Sequence, residues 1–403
     1  MITLQDIKAA RERIAGHVQH SPMPRSDALS EMCKCDLYVK LENLQRTGSF
    51  KERGALNKLL SLTPEERKRG VISASAGNHA QGVAYHATRL GIPSTIVMPE
   101  QSPLVKVRST RDFGAEVILH GDSFDDAYAA ARELEAERKL VFVHAFDDDA
   151  VIAGQGTLGL EILEDLPEVD AVIVAIGGGG LIAGSGCAIK SLKPTTEIIG
   201  VNAAAIAGME QSLKQKKVVT MPAARTIADG IAVRRVGDRT FAMAQKYVDR
   251  VVHVDDEEVA NAILQLLEKE KTVAEGAGAA PMAALLHRDL GLEGKKVVVV
   301  VCGGNINVNL ISRIIERGLI KDGRRVNIKV VVPDRPGMLA QVLNEVARLH
   351  ANVLEVNHMR WSRKLSLGET EVSLALETRG PEHIVEIESA LTRNGLIVMR
   401  QDE

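Results

Sequence analysis

Aromatic residues make up only 3% of this 403-residue chain, and tryptophan occurs once. The core must then be built from Ala, Val, Ile and Leu, as in sheets buried on both faces. Cysteine is scarce too, with four residues and no disulfide framework. Cys33 and Cys35 stand one residue apart, which suits neither a redox pair nor a zinc knuckle. Cys187 and Cys302 lie in apolar or glycine-rich surroundings and read as reduced thiols. Long hydrophobic runs are missing: the stretch Val297 to Val301 is far too short to span a membrane. The first residues read as an amphipathic helix without the apolar core of a signal peptide, so a cytoplasmic location is expected. No charge of one sign dominates. The net charge is −3 with Lys and Arg scattered, which leaves no nucleic-acid footprint.

What is present is alternation. Short Val- and Ile-rich runs predict strands at 36–41, 71–75, 94–98, 115–119 and 140–144, then at 171–176, 197–201, 250–254 and 296–302. Helical patterns such as 124–139 and 257–271 separate them. Residues 255–258 are all acidic, which suits a helix N-terminus. Such alternation predicts βαβ units and parallel sheets. The pattern changes after the polar stretch Lys321–Arg325. Strand 325–332, helix 337–349, strands 352–360 and 369–377, helix 382–394 and strand 396–400 spell βαββαβ, a ferredoxin-like second domain starting near residue 324.

Four segments could carry chemistry. In Thr47-Gly48-Ser49-Phe50-Lys51, a turn and cap place Lys51 in the first turn of a helix, where the dipole disfavours its charge. It is either a solvated surface lysine or an amine kept neutral for Schiff-base chemistry. In Ser75-Ala76-Gly77-Asn78-His79, a strand end running into a helix could capture a carboxylate on backbone N–H groups. It could equally be an ordinary capped connection, with His79 structural. Gly177-Gly178-Gly179-Gly180-Leu181 fits neither the dinucleotide nor the Walker pattern, yet suits a phosphate on a helix N-terminus. Its bland alternative is a flexible loop. Cys302-Gly303-Gly304-Asn305 ends the most apolar strand, where α/β proteins place ligands, although Cys302 could simply be core.

Together these segments resemble the fold-type II pyridoxal-phosphate enzymes, and most closely their threonine ammonia-lyase (threonine dehydratase) branch. Thr226–Val233, Val151–Thr157 and Glu275–Ala279 are similar to that family as well, so the resemblance covers essentially the whole chain. It implies a two-domain α/β fold like that of the tryptophan synthase β chain, with pyridoxal 5'-phosphate as cofactor. It further implies a catalytic region 1–320, with residues 46–150 forming a smaller inserted subdomain and residues 1–45 and 151–320 a larger one. Lys51 would hold the cofactor as a Schiff base and remove the Cα proton, beside Phe50. Ser75, Ala76, Gly77, Asn78 and His79 would take the substrate carboxylate, and Asn78 would also reach the ring oxygen. Gly177, Gly178, Gly179, Gly180 and Leu181 would cradle the phosphate, and Cys302 would face the pyridine nitrogen. A neutral thiol there makes the ring a weaker electron sink than a carboxylate would, which favours β-elimination. The expected reaction turns L-threonine into 2-oxobutanoate and ammonia, and L-serine more slowly into pyruvate.

Two departures matter. Racemising relatives carry a second serine where this chain has Ala76, so racemisation is not expected. Those relatives also bind a divalent metal through a Glu after the strand, where this chain has Asn202, so no metal is expected. Residues 325–403, with Pro333–Leu339, look like an ACT regulatory domain. Asp334, Gly337 and Asn352 are its candidate contacts for an effector such as isoleucine or valine, and dimerisation alone is the other reading. Pairing of such domains implies a homodimer or homotetramer. Three rivals stay open: a serine dehydratase, a β-replacement enzyme that needs a second nucleophile, and an inactive amino-acid sensor.

Overall fold

The computed structural model describes residues 1–360 and 365–401. The chain divides into two compact units, Met1–Ile306 and Asn307–Glu403. Among the described residues no helix is long and apolar enough to cross a membrane.

The first unit holds two parallel sheets. Strands β1 (Asp36–Leu41), β2 (Val71–Ala74), β3 (Ser94–Met98), β4 (Glu116–Leu119), β5 (Val141–Phe142), β6 (Ala171–Ala175), β7 (Glu197–Ala203), β8 (Arg250–Val254) and β9 (Lys296–Val301) follow one another with helices between them. The smaller sheet has the order β4-β3-β2-β5 and the larger the order β1-β9-β6-β7-β8, every pair being parallel. The central strands β6 and β9 are buried over nearly their full length. That is why they read as continuous apolar runs rather than as alternating ones. With few aromatics, the core layer under the smaller sheet is filled by Ala80, Val83, Ala84, Ala87, Ile96 and Met98.

β5 is shorter than its apolar run suggests. Beyond Val143 the chain turns, and His144 Nδ1 accepts from the backbone N–H of Phe146 at 3.2 Å and of Asp147 at 2.8 Å. The imidazole replaces the next ladder partners and ends the strand.

The second unit begins with the helix Val308–Lys321. The polar stretch Lys321–Arg325 thus ends a helix of that unit and does not mark the division itself. After it come β10 (Arg325–Pro333), the helix Met338–Arg348, β11 (Asn352–Met359), β12 (Glu369–Glu377), the helix Pro381–Arg393 and β13 (Ile397–Arg400). The sheet order is β11-β12-β10-β13, all antiparallel, which is the expected βαββαβ arrangement. β10 alternates strictly between buried and half-buried residues because both helices cover one face of this sheet only.

Candidate active site

Ser75–His79, Gly177–Leu181 and Cys302 lie just beyond the C-terminal ends of β2, β6 and β9, where the backbone leaves the sheet. Around them is one cavity of about 740 Å³. Its wall includes Phe50, Lys51, Ser75, Ala76, Gly77, Asn78 and His79. It also includes Gly177, Gly178, Gly179, Gly180, Leu181 and Cys302. Every candidate that the sequence places in the first unit therefore reaches the same space.

Lys51 is the first residue of the helix Lys51–Leu60. Its loop is tied to the end of β9: Phe50 N–H donates to the Cys302 carbonyl at 3.1 Å, and Gly304 N–H to the Gly48 carbonyl at 2.9 Å. The amine projects into the cavity and donates to the Ala145 carbonyl at 2.8 Å, 5.2 Å from the Phe50 ring centre. Burial pulls its pKa down to about 8, against the opposing pull of Cys302 and Glu275. It is not a solvated surface lysine. Near neutral pH a useful fraction of it is the free amine, which is the nucleophilic and basic form.

The four-glycine turn follows β6 and opens the helix Gly180–Leu192. Its sequence has a reason inside the protein. A Cβ on Gly178 would collide with the Phe146 ring, and one on Gly180 would stand 3.1 Å from Phe146 Cα. Gly179 adopts φ +96°, a left-handed conformation that favours glycine. The turn is also anchored, because Thr240 Oγ1 donates to the Gly178 carbonyl at 2.6 Å. Packing on one side thus removes side chains from a helix N-terminus that faces the cavity on the other, a ready anion site.

Gly77 caps the helix Asn78–Arg89, and Ser75 Oγ accepts from Gly77 N–H at 3.2 Å. His79 is buried, and its Nε2 lies 3.0 Å from the Val143 carbonyl. Burial depresses its pKa to about 3, so the ring is neutral and donates to that carbonyl. Its side chain is thereby tied to the end of the strand run at Val143.

Cys302 is buried, and its thiol lies 3.5 Å from the Ala277 carbonyl. Burial pushes its pKa up well beyond the ordinary thiol range, with the nearby Glu275 adding to the rise. The group is a neutral S–H donor. Six more lining residues carry charge: Lys106, Asp125, Asp229, Arg234, Arg235 and Glu275. Lys106 Nζ and Asp229 Oδ2 pair at 2.7 Å. Glu275 opens the segment Glu275–Ala279, which the sequence shows as a pattern without a role.

In the second unit, Gly337 has φ +93° and precedes the helix Met338–Arg348, with open space where a Cβ would be. Asp334 occupies the same loop, near Arg360 at 3.4 Å. Asn352 does not join them. It pairs with Glu377, which pairs with Arg325, so it lies at the opposite end of the sheet, about 25 Å along β10.

This geometry defines a class: an α/β fold in which a lysine amine of lowered pKa, a glycine turn opening a helix and a neutral thiol line one cavity. Residues 14–303 match the family model described as pyridoxal-phosphate dependent enzyme. The chain belongs to that family, whose cofactor is pyridoxal 5'-phosphate. It is 52% identical to the L-threonine ammonia-lyase of Thermotoga maritima over 98% of each chain. It is 46% identical to the catabolic L-threonine dehydratase of Escherichia coli K12, over 78% of this chain and 96% of that one. Among solved structures, the processed form of threonine deaminase isoform 2 from Solanum lycopersicum superposes with a TM-score of 0.74 at 37% identity, covering 78% of this chain and 91% of that one.

The residues fit the cofactor. A buried amine of lowered pKa, a side-chain-free helix N-terminus and a neutral thiol lie around one cavity, matching its aldehyde, phosphate and pyridine ring. One consequence is a pH dependence of loading. Neutral amine is the reactive form, and with a pKa of about 8 its fraction rises about tenfold between pH 7 and pH 9. Cofactor-free protein mixed with pyridoxal phosphate should gain visible absorbance with a rate constant that climbs over that range and levels off above it.

Proposed function

We propose that this enzyme deaminates L-threonine to 2-oxobutanoate and ammonia, with L-serine as a slower substrate giving pyruvate. One observation carries the reading: Lys51, the glycine turn, the Ser75–His79 segment and Cys302 line a single cavity. The threonine-specific names of the relatives support it.

Bound pyridoxal phosphate supplies electron withdrawal that acidifies the substrate's Cα–H bond. The protein's part is to bind, orient and move protons. Gly177–Leu181 hold the phosphate on backbone N–H groups. The segment Ser75–His79 receives the substrate carboxylate at the start of its helix. Lys51 Nζ, once free, stands as the base for the Cα proton. Cys302 holds its own proton and would present a neutral thiol to the pyridine ring rather than a carboxylate, an environment that would favour loss of the β-hydroxyl. Ala76 offers no acid on the face opposite Lys51, which works against racemisation. Water is lost at the β-carbon and taken up again as nitrogen leaves.

The test is direct. Purified enzyme given only L-threonine should release 2-oxobutanoate and ammonia in equal amounts. Product that forms only when a thiol is added would instead indicate β-replacement, and a protein inert to both amino acids would be a sensor. Discrimination between threonine and serine rests on one methyl group, worth about 1–3 kcal/mol.

Residues 325–403 are proposed as an ACT regulatory domain that binds an amino acid such as isoleucine or valine near Asp334 and Gly337, within a homodimer or homotetramer. Its effect would correspond to a coupling of about 1–3 kcal/mol. Enzyme truncated after residue 322 should retain turnover but lose any response to added isoleucine or valine. Identical responses in full-length and truncated enzyme would remove this role.

A further inference from the structure

Asn78 is the one side chain in the carboxylate-binding segment whose amide must face a definite way, since its nitrogen donates and its oxygen accepts. The structure fixes both ends of that amide. Its Nδ2 donates to Glu275 Oε1 at 2.6 Å, and its Oδ1 accepts from Asn305 Nδ2 at 2.8 Å. Asn305 Nδ2 uses its other N–H on the Thr47 carbonyl, also at 2.8 Å. A backbone carbonyl at one end and a carboxylate at the other can only accept, so neither asparagine can flip without losing partners. An amide nitrogen carries two N–H bonds, and Glu275 takes one from Asn78. The second is left for whatever occupies the cavity that Asn78 lines.

Gly303 and Gly48 are shaped around this chain of contacts. A Cβ on Gly303 would collide with Glu275 Oε1 and stand 3.0 Å from Asn78 Nδ2. A Cβ on Gly48 would stand 3.0 Å from the Asn305 side-chain carbon. Glu275 itself is only 5% exposed, and among the described residues neither nearby cation forms an ion pair with it: Lys106 is paired with Asp229, and Lys51 donates to the Ala145 carbonyl. A buried carboxylate without a cationic partner is costly and needs a reason.

We infer that Glu275 is a positioning residue, which with Asn305 locks the Asn78 amide so that its remaining N–H points at the bound cofactor and substrate. The inference rests on the pyridoxal-phosphate reading above. Burial and the charge of Asp229 raise the Glu275 carboxyl to about 7, while the Asn78 hydrogen bond, Lys106 and Lys51 oppose the rise. The thiol of Cys302 is a further titratable neighbour and is neutral. Ionisation makes the carboxylate a pure acceptor, so the lock is firmest above neutrality.

The test compares wild type with Glu275→Leu, Glu275→Gln, Asn305→Leu and the Glu275→Leu/Asn305→Leu pair, each loaded with pyridoxal phosphate. Two quantities are read: the pH midpoint at which the visible absorbance of the bound cofactor titrates, and kcat and KM with L-threonine. Leucine at either end should displace that midpoint in the same direction and lower kcat roughly a hundredfold, as loss of alignment does. The pair should fall no further than the worse single variant, because both act on one amide. Glu275→Gln retains an amide oxygen as acceptor and should recover most of kcat. If Glu275→Leu does not fold, Asn305→Leu and Glu275→Gln carry the comparison. An unmoved midpoint, additive losses, or a Glu275→Gln variant as impaired as the leucine variants would overturn the inference. Wild-type protein that takes up no cofactor would overturn the underlying reading as well.

Discussion

Lys51→Ala should lower turnover of L-threonine by at least about 10⁴-fold, since under the proposed function it removes both the cofactor's attachment point and the base for the Cα proton. The expected loss is in kcat, because the glycine turn and the Ser75–His79 segment remain to bind cofactor and substrate. Structure should survive. The Lys51 amine makes one hydrogen bond, to the Ala145 carbonyl, and burying a methyl in place of an ammonium relieves a desolvation cost rather than creating one. Ammonia release and a thermal melt on the same preparation check both halves. Small primary amines supplied in solution should restore part of the rate by standing in for the missing base. A variant that keeps even a tenth of wild-type turnover would show that another group removes the proton.

The second large effect concerns stability. Arg53 lies two residues beyond Lys51 and is 1% exposed. Its guanidinium is held by Glu42 through two bonds of 2.7 Å and by Glu161 through bonds of 2.6 and 2.8 Å. Thr157 and the Gln19 carbonyl accept from it too, at 3.2 and 3.3 Å. Burial alone would push the Glu42 carboxyl up, but the adjoining Arg53 charge and hydrogen bonds hold it below the ordinary range. Arg53→Met leaves that carboxylate buried with no ion pair among the described residues, the Gln45 amide still donating to it at 3.3 and 3.4 Å. Glu161 retains only Lys40, at 3.0 Å. The expected loss is about 3–5 kcal/mol, the cost of breaking a buried pair from one side. Converting Glu42 and Glu161 to leucine as well should return most of it, because apolar replacement of the whole cluster avoids the stranded charges. Urea unfolding of the three proteins measures both steps. The single variant should also lose activity beyond its loss of stability, since Arg53 fixes the helix on which Lys51 stands.

Much of the architecture is legible in the sequence because its signals are local. Buried runs such as Val297–Val301 and the acidic start of the Asp256–Glu270 helix announce themselves in a few neighbouring residues. The apolar run overextends β5 because no hydrophobic pattern reveals that His144 turns back to cap the chain. The candidate residues are legible one by one, whereas their convergence on one cavity is contained in none of them. Glu275 escapes a reading of the sequence as a site residue for a related reason. Its contact with Asn78 spans 197 residues, and that of Asn78 with Asn305 spans 227. A glutamate before a glycine-alanine helix reads as an ordinary helix start until the fold brings the asparagine to it. The glycine turn reads as room for a ligand alone, yet Phe146 packed on its back also excludes side chains at Gly178 and Gly180.

The central claim is that one amine, and no other, links the cofactor to the protein. Lys106 lines the same cavity and is the natural competitor, although Asp229 holds it at 2.7 Å. Borohydride reduction of the loaded enzyme, followed by peptide mapping, should leave a pyridoxyl group on the peptide that contains Lys51. A label on the Lys106 peptide, or no label in protein that is otherwise folded, would contradict the account.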